Sequence, residues 1–127
     1  MTPFSTGLDL VEVPRIRALL EKHGNRFKER TFTAGEIAYC DACADPAIHY
    51  AARFAAKEAV AKALGTGFAD GVSWQDIEVL RDGKGCPSIE LHGGAVHVAE
   101  LSGIKKVLLS LTHTKEMAAA SVVACSG

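Results

Sequence analysis

The chain has no long apolar run. No stretch approaches the roughly 20 residues that a helix needs to cross a bilayer, so no membrane partner is expected. Nor is there an excess of either charge. A net charge of −1 gives no global pull toward nucleic acid or an anionic lipid surface, and neither is an expected partner. The N-terminus lacks a basic segment followed by an apolar core, which makes the cytoplasm the expected location. The four cysteines, Cys40, Cys43, Cys86 and Cys125, are expected to be reduced thiols in that location. Cys40-Asp41-Ala42-Cys43 has the spacing of a zinc knuckle or a redox pair, with His49 nearby. No second cysteine pair follows and no βαβ pattern frames it, so structural or incidental thiols are the expectation. Repeats and low-complexity linkers are also missing.

What is present is an ordinary globular chain. Its 127 residues suit one domain spanning 1–127, and 48% hydrophobic with 23% charged content suffices for a small core. The apolar residues from Phe4 to Val13 read as a largely buried strand, and Pro14 opens a helix to His23 with Ile16, Leu19 and Leu20 as its stripe. Arg26 to Phe32 suggests a short helix. Thr33-Ala34-Gly35-Glu36 reads as a capping box starting another helix toward Cys43. Asp45-Pro46 supplies an N-cap and first turn for a long helix, Pro46 to Leu64, and Gly65 sits where a left-handed cap is expected. The period then changes. Asp76 to Arg81 and Pro87 to His92 read as strands around a hairpin signal at Asp82-Gly83-Lys84-Gly85. Gly93 to Leu101 reads as a helix closed by Gly103. Lys105 to Thr112 and Met117 to Cys125 are two further strands. The order gives an α+β class, a mostly antiparallel sheet packed against a long helix.

Two segments carry chemistry. Asp9 lies inside the first apolar run, where an ionised carboxylate is costly unless it is paired or bound to a metal. The long helix carries Arg53, Lys57, Glu58 and Lys62 before Gly65-Thr66-Gly67. Helical spacing sets Arg53 and Lys57 on one row and Glu58 and Lys62 on the next, along one flank. A carboxylate among cations leading into Gly-Thr-Gly suggests phosphate plus metal. A plain solvated flank and a plain helix cap satisfy the same spacing.

Three blocks in order, Gly7-Leu8-Asp9 with Arg15-Ile16, Arg53 to Ala59 with Lys62-Ala63 and Gly65-Thr66-Gly67, and Ser110-Leu111-Thr112-His113-Thr114 with Ala118-Ala119-Ala120, span nearly the whole chain. Together they resemble the holo-acyl carrier protein synthase family, the small 4'-phosphopantetheinyl transferases. The resemblance implies that fold, a trimer with a site at each subunit interface, and a defined reaction. The phosphopantetheine arm of coenzyme A moves to a serine of an apo-acyl carrier protein, leaving adenosine 3',5'-bisphosphate, in support of fatty acid biosynthesis. It implies Asp9 and Glu58 as ligands of a magnesium ion, and Lys62 beside them as a catalytic, phosphate-facing cation. It makes Arg53, Lys57, Gly65, Thr66, Thr112 and His113 expected coenzyme A contacts. Arg15 is the expected carrier-docking residue, within a segment, 14–30, whose local charge balance is +4. Steering of a small acidic carrier suits such a surface. The family often has a hydroxyl side chain near the metal where this chain has Ala61. His49, His92 and His97 receive no role, and Trp74 is expected to pack. The acceptor of the serine proton stays open between Glu58 through a metal-bound water and direct metal-hydroxide chemistry.

Overall fold

The computed structural model describes all 127 residues. Strand β1 (Thr2–Glu12) leads into helices α1 (Val13–His23), α2 (Asn25–Thr31), α3 (Ala34–Asp41) and α4 (Pro46–Leu64). A short 3-10 turn (Trp74–Asp76) precedes strands β2 (Ile77–Arg81) and β3 (Pro87–Leu91), helix α5 (Gly93–Ser102) and strands β4 (Ile104–His113) and β5 (Met117–Ser126). The α+β class holds. The expected sheet is two sheets: an antiparallel three-stranded one in the order β1-β5-β4, and the separate β2-β3 hairpin.

Helix α4 is the axis of the fold. It lies across the three-stranded sheet, and alanine lets it lie close. Ala51, Ala55, Ala56, Ala59, Ala61 and Ala63 are buried on the helix, and Ala118, Ala120 and Ala124 are buried on β5. The closest approach is at Gly7. A Cβ there would stand 1.9 Å from the carbonyl oxygen of Ala59, a backbone atom that cannot step aside. Gly7→Ala is therefore expected to force the helix off the sheet and to cost about 3 kcal/mol, the upper end for overpacking. A thermal melt within about 2 °C of wild type would show that the interface is softer than this. Ser5 Oγ, near that contact, donates to the Ala63 carbonyl at 2.6 Å.

Local signals explain the helix ends. The Thr33 and Glu36 side chains cap α3 reciprocally, at 3.2 and 2.8 Å. Gly65 closes α4 in the left-handed conformation (φ 82°). Asp45 holds the N-cap position of α4, but its carboxylate does not cap. It forks instead onto Arg17, at 3.1 Å for each oxygen.

One expectation about β1 fails. Phe4, Leu8 and Leu10 are 55%, 64% and 62% exposed. Only the face with Gly7 and Val11 meets α4, because a helix covers just one side of this sheet within the chain.

Candidate functional site

Where α4 crosses β1, four charged side chains converge. The Lys62 ammonium donates to Asp9 Oδ1 at 3.0 Å and to the Leu8 carbonyl at 3.0 Å. Asp9 is mostly buried while Lys62 is half exposed, so the pair sits at the mouth of the site. Glu58, one turn before Lys62, is half-buried. Burial raises its pKa, the negative charge of Asp9 raises it further, and Lys62 and Arg15 oppose both. The Arg15 guanidinium lies 5.5 Å over the Phe54 ring. Phe54 begins an aromatic stack that continues through Trp74 (4.8 Å) to Phe68 (3.8 Å), so Trp74 packs.

This donor set fits a hard divalent cation. Two carboxylates lie close enough for Asp9 to disfavour ionisation of Glu58, and the Lys62 ammonium and Arg15 guanidinium offset them only in part. No third His, Cys, Asp or Glu joins the group. Water and substrate oxygens would complete an octahedral shell, as magnesium prefers.

Two residues expected on the same flank are elsewhere. Lys57 is fully buried, facing the opposite side of α4. Its ammonium pairs with Glu36 at 2.7 Å and donates to the Trp74 carbonyl at 3.0 Å and to the Ile77 carbonyl. It has no path to a bound nucleotide, and the expected coenzyme A contact by Lys57 is withdrawn. Arg53 is also buried, at 1% exposure. Its guanidinium lies 4.2 Å over the Tyr39 ring and donates to the His49 carbonyl at 3.3 Å. In the single chain the guanidinium is almost wholly enclosed, with Nε the one of its nitrogens that is buried without a partner. The physical reason is shared. Helix α4 is buried on nearly every side, and in its second half only Glu58 and Lys62 reach solvent.

Gly65, Thr66 and Gly67 end α4, and the amides of both glycines serve the helix, Gly65 to the Lys62 carbonyl (3.0 Å) and Gly67 to the Ala61 carbonyl (3.2 Å). Ala61 is buried and carries no hydroxyl toward the carboxylates. Thr112 and His113 are exposed at the end of β4. The His113 ring meets the His49 ring edge to face at 5.8 Å, and His49 meets Tyr39 at 6.0 Å. This contact gives His49, unassigned by sequence, a neighbour that spacing did not reveal. His92 pairs with Glu78 at 3.0 Å. The cysteine pair shows no metal or redox geometry. Burial pushes the Cys40 thiol up to about 12, and Cys43 donates to the Tyr39 carbonyl at 3.3 Å. Glu36, read from sequence only as the capping-box acid, also answers Lys57, which lies on a helical row with Tyr50, Phe54, Ala61 and Leu64.

An acidic pair beside a lysine, on a helix laid over a small antiparallel sheet, defines a class. The 4'-phosphopantetheinyl transferase superfamily pattern matches residues 5–122. A holo-[acyl-carrier-protein] synthase of Solibacter usitatus is 49% identical over 93% of this chain and 94% of its own. One of Koribacter versatilis is 48% identical over the same shares. Among solved structures, the holo-[acyl-carrier-protein] synthase of Neisseria meningitidis superposes with a TM-score of 0.90 at 34% identity, covering 98% of this chain and 100% of that one. The Bacillus anthracis enzyme, solved in complex with CoA (3',5'-ADP), superposes with a TM-score of 0.82 at 34% identity over 100% of both chains. The chain belongs to the 4'-phosphopantetheinyl transferase superfamily, and within it to the holo-acyl carrier protein synthase family.

Proposed function

We propose that this enzyme transfers the 4'-phosphopantetheine arm of coenzyme A to a serine hydroxyl of an apo-acyl carrier protein, releasing adenosine 3',5'-bisphosphate. It acts in the cytoplasm, in support of fatty acid biosynthesis. The observation that carries this reading is the meeting of Asp9, Glu58 and Lys62 at one mouth, with Glu58 kept reluctant to ionise by burial and by Asp9.

Asp9 and Glu58 are the residues that would hold a magnesium ion. That ion, when bound, neutralises the diphosphate and stabilises charge on the leaving phosphate. Lys62 bridges the site: its ammonium is already aligned by Asp9 and the Leu8 carbonyl, and being half exposed it can turn to a phosphate oxygen. The phosphoryl group needs little covalent help, so alignment and charge supply most of the rate. Glu58, at the mouth beside Lys62 and Asp9, is the residue of this chain placed to take part in removing the serine proton. Gly65 and Thr66 after α4, with Thr112 and His113 from β4, contribute coenzyme A contacts.

The assembly is a homotrimer with sites between subunits. One observation supports it: Leu8, Leu10 and Leu108 expose apolar surface on the uncovered sheet face, the kind of patch that a second copy covers. A solution mass of one chain would remove the trimer from this reading.

The transfer assay is direct. Apo-carrier protein, coenzyme A and magnesium are incubated with the enzyme, and the carrier gains the mass of phosphopantetheine. No gain with competent carriers would overturn the reading. Arg15→Glu is expected to raise the KM for carrier about tenfold or more through charge reversal at the docking face, leaving the KM for coenzyme A nearly unchanged. Equal changes in both would take Arg15 out of docking.

A further inference from the structure

The Lys and Arg side chains of residues 14–30 divide into two sets. Two of them are already held by carboxylates from outside the segment. Arg17 on α1 forks onto Asp45, at 3.1 Å to each oxygen. Lys28 on α2 reaches the Asp41 oxygens at 3.1 and 3.4 Å. Arg15, Lys22, Arg26 and Arg30 are exposed and form no salt bridge.

The helix keeps Arg17 away from the free set. Residues two apart on a helix are rotated by about 200°, so Arg15 and Arg17 leave α1 on nearly opposite sides. Arg15 lies over the Phe54 ring at 5.5 Å. Phe54 meets Phe27 of α2 at 6.3 Å, and Phe27 lines a cavity of about 350 Å³ with His23, Arg26, Glu29 and Arg30. An aromatic floor thus connects Arg15 with the free cations of α2, while Arg17 turns toward the start of α4. Asp45 gives up a local role to meet it. At an N-cap a carboxylate ordinarily accepts from the first amides of its helix, yet Asp45 makes no such bond.

We propose that Asp45 is a specificity-determining residue for the carrier: it withholds Arg17 from an acidic partner and confines the charge which that partner meets to the side of α1 that bears Arg15. The inference rests on the transferase reading above and deepens it. A carrier carboxylate arriving on the Arg17 side meets a neutral pair, with Glu21 as a second negative neighbour one turn along α1. A carrier whose acidic surface extends to that side is therefore not favoured for it, which is selection by a withheld contact. The pair is exposed at both ends, 46% and 42%, so it is screened and adds little to the fold. Its effect belongs to association, where rim charges act through encounter rate and salt dependence.

The test is a double-variant cycle on the full-length enzyme, read as the dissociation constant for an apo-acyl carrier protein at low and high salt, with transfer and melting measured alongside. Asp45→Asn keeps a good N-cap residue before Pro46 and should fold normally. It is expected to tighten carrier binding about fivefold at low salt and less than about twofold at high salt. Arg17→Ala should change the affinity less than about twofold in the wild type, yet remove the whole gain in the Asp45→Asn background, because only there is the arginine free. Asp45→Glu, which can keep the fork, should bind carrier like the wild type. An equal loss for Arg17→Ala in both backgrounds would overturn the proposal. So would unchanged affinity in Asp45→Asn, or a change in melting alone, which would mark a pin between α1 and α4. Glu21→Gln adds the same unit of charge without touching the fork, and a gain matching that of Asp45→Asn would assign the effect to net charge and also overturn it. A wild-type enzyme that neither binds the carrier nor transfers phosphopantetheine overturns instead the reading beneath.

Discussion

Replacing Asp9 or Glu58 by alanine is expected to reduce phosphopantetheine transfer by about a thousandfold or more, because each change removes one of two protein ligands that would hold the cation on the diphosphate. Stability should hardly change. The Asp9–Lys62 pair is partly solvated, and such pairs contribute at most about 1 kcal/mol. Glu58 is the more telling case. Its folded pKa is raised by burial and by Asp9, so ionisation of Glu58 works against the fold. The sign follows from linkage: what Glu58 contributes is fully present below its unfolded pKa and is lost as pH rises through the folded value. Glu58→Gln, which cannot ionise, should therefore gain stability relative to wild type between about pH 4 and about pH 7, while losing transfer. Melting curves across that range check the first half and the mass-shift assay the second. Full activity in either alanine variant would end the case for a shared cation at Asp9 and Glu58.

The second large effect concerns a pair with no part in the chemistry. Lys57 and Glu36 are fully buried, 2.7 Å apart. Around them Glu36 accepts from the Thr33 amide and from the Val79 amide, both at 2.8 Å, and Lys57 donates to the Trp74 and Ile77 carbonyls. One ion pair thereby ties α3 and α4 to β2 and the turn before it. Burial lowers the Lys57 pKa, and Glu36 holds it back up. Lys57→Ala leaves a buried carboxylate without its cation and is expected to cost about 3–5 kcal/mol, a large share of the roughly 5–15 kcal/mol of a small domain. Glu36→Ala should cost as much. The double variant Lys57→Met, Glu36→Gln removes both charges, and its loss should be clearly smaller than the sum of the single losses. Chemical denaturation of the variants measures this. Additive losses would show that the two groups act separately.

The Lys57 result marks where reading the chain reached its limit. Helical spacing set Lys57 and Arg53 on the same flank as Glu58 and Lys62, and a solvated flank was the natural inference for four charges on one helix. The structure rotates that inference by half a helix: Glu58 and Lys62 face the mouth, while Arg53 and Lys57 face inward. A signal was present, since Lys57 interrupts an otherwise apolar row, but nothing local to α4 announces Glu36, which arrives from another helix. Strand β1 shows the same limit from the other side. Its apolar run reads as a largely buried strand, yet a helix covers one face only, and Leu8 and Leu10 stand exposed in the single chain. His49 and His113 are far apart in sequence, and only the diagonal path of α4 across the sheet brings their rings together.

Element order, helix caps, the hairpin and the meeting-point residues Asp9, Glu58 and Lys62 were legible from the chain alone, because caps, turns and periodicity are short-range matters settled within a few neighbours. Which side of α4 each charge faces, which carboxylate answers Lys57 and which surface of β1 stays bare were decided by tertiary packing. Burial and charge pairing depend on groups that come together only when distant segments fold onto one another.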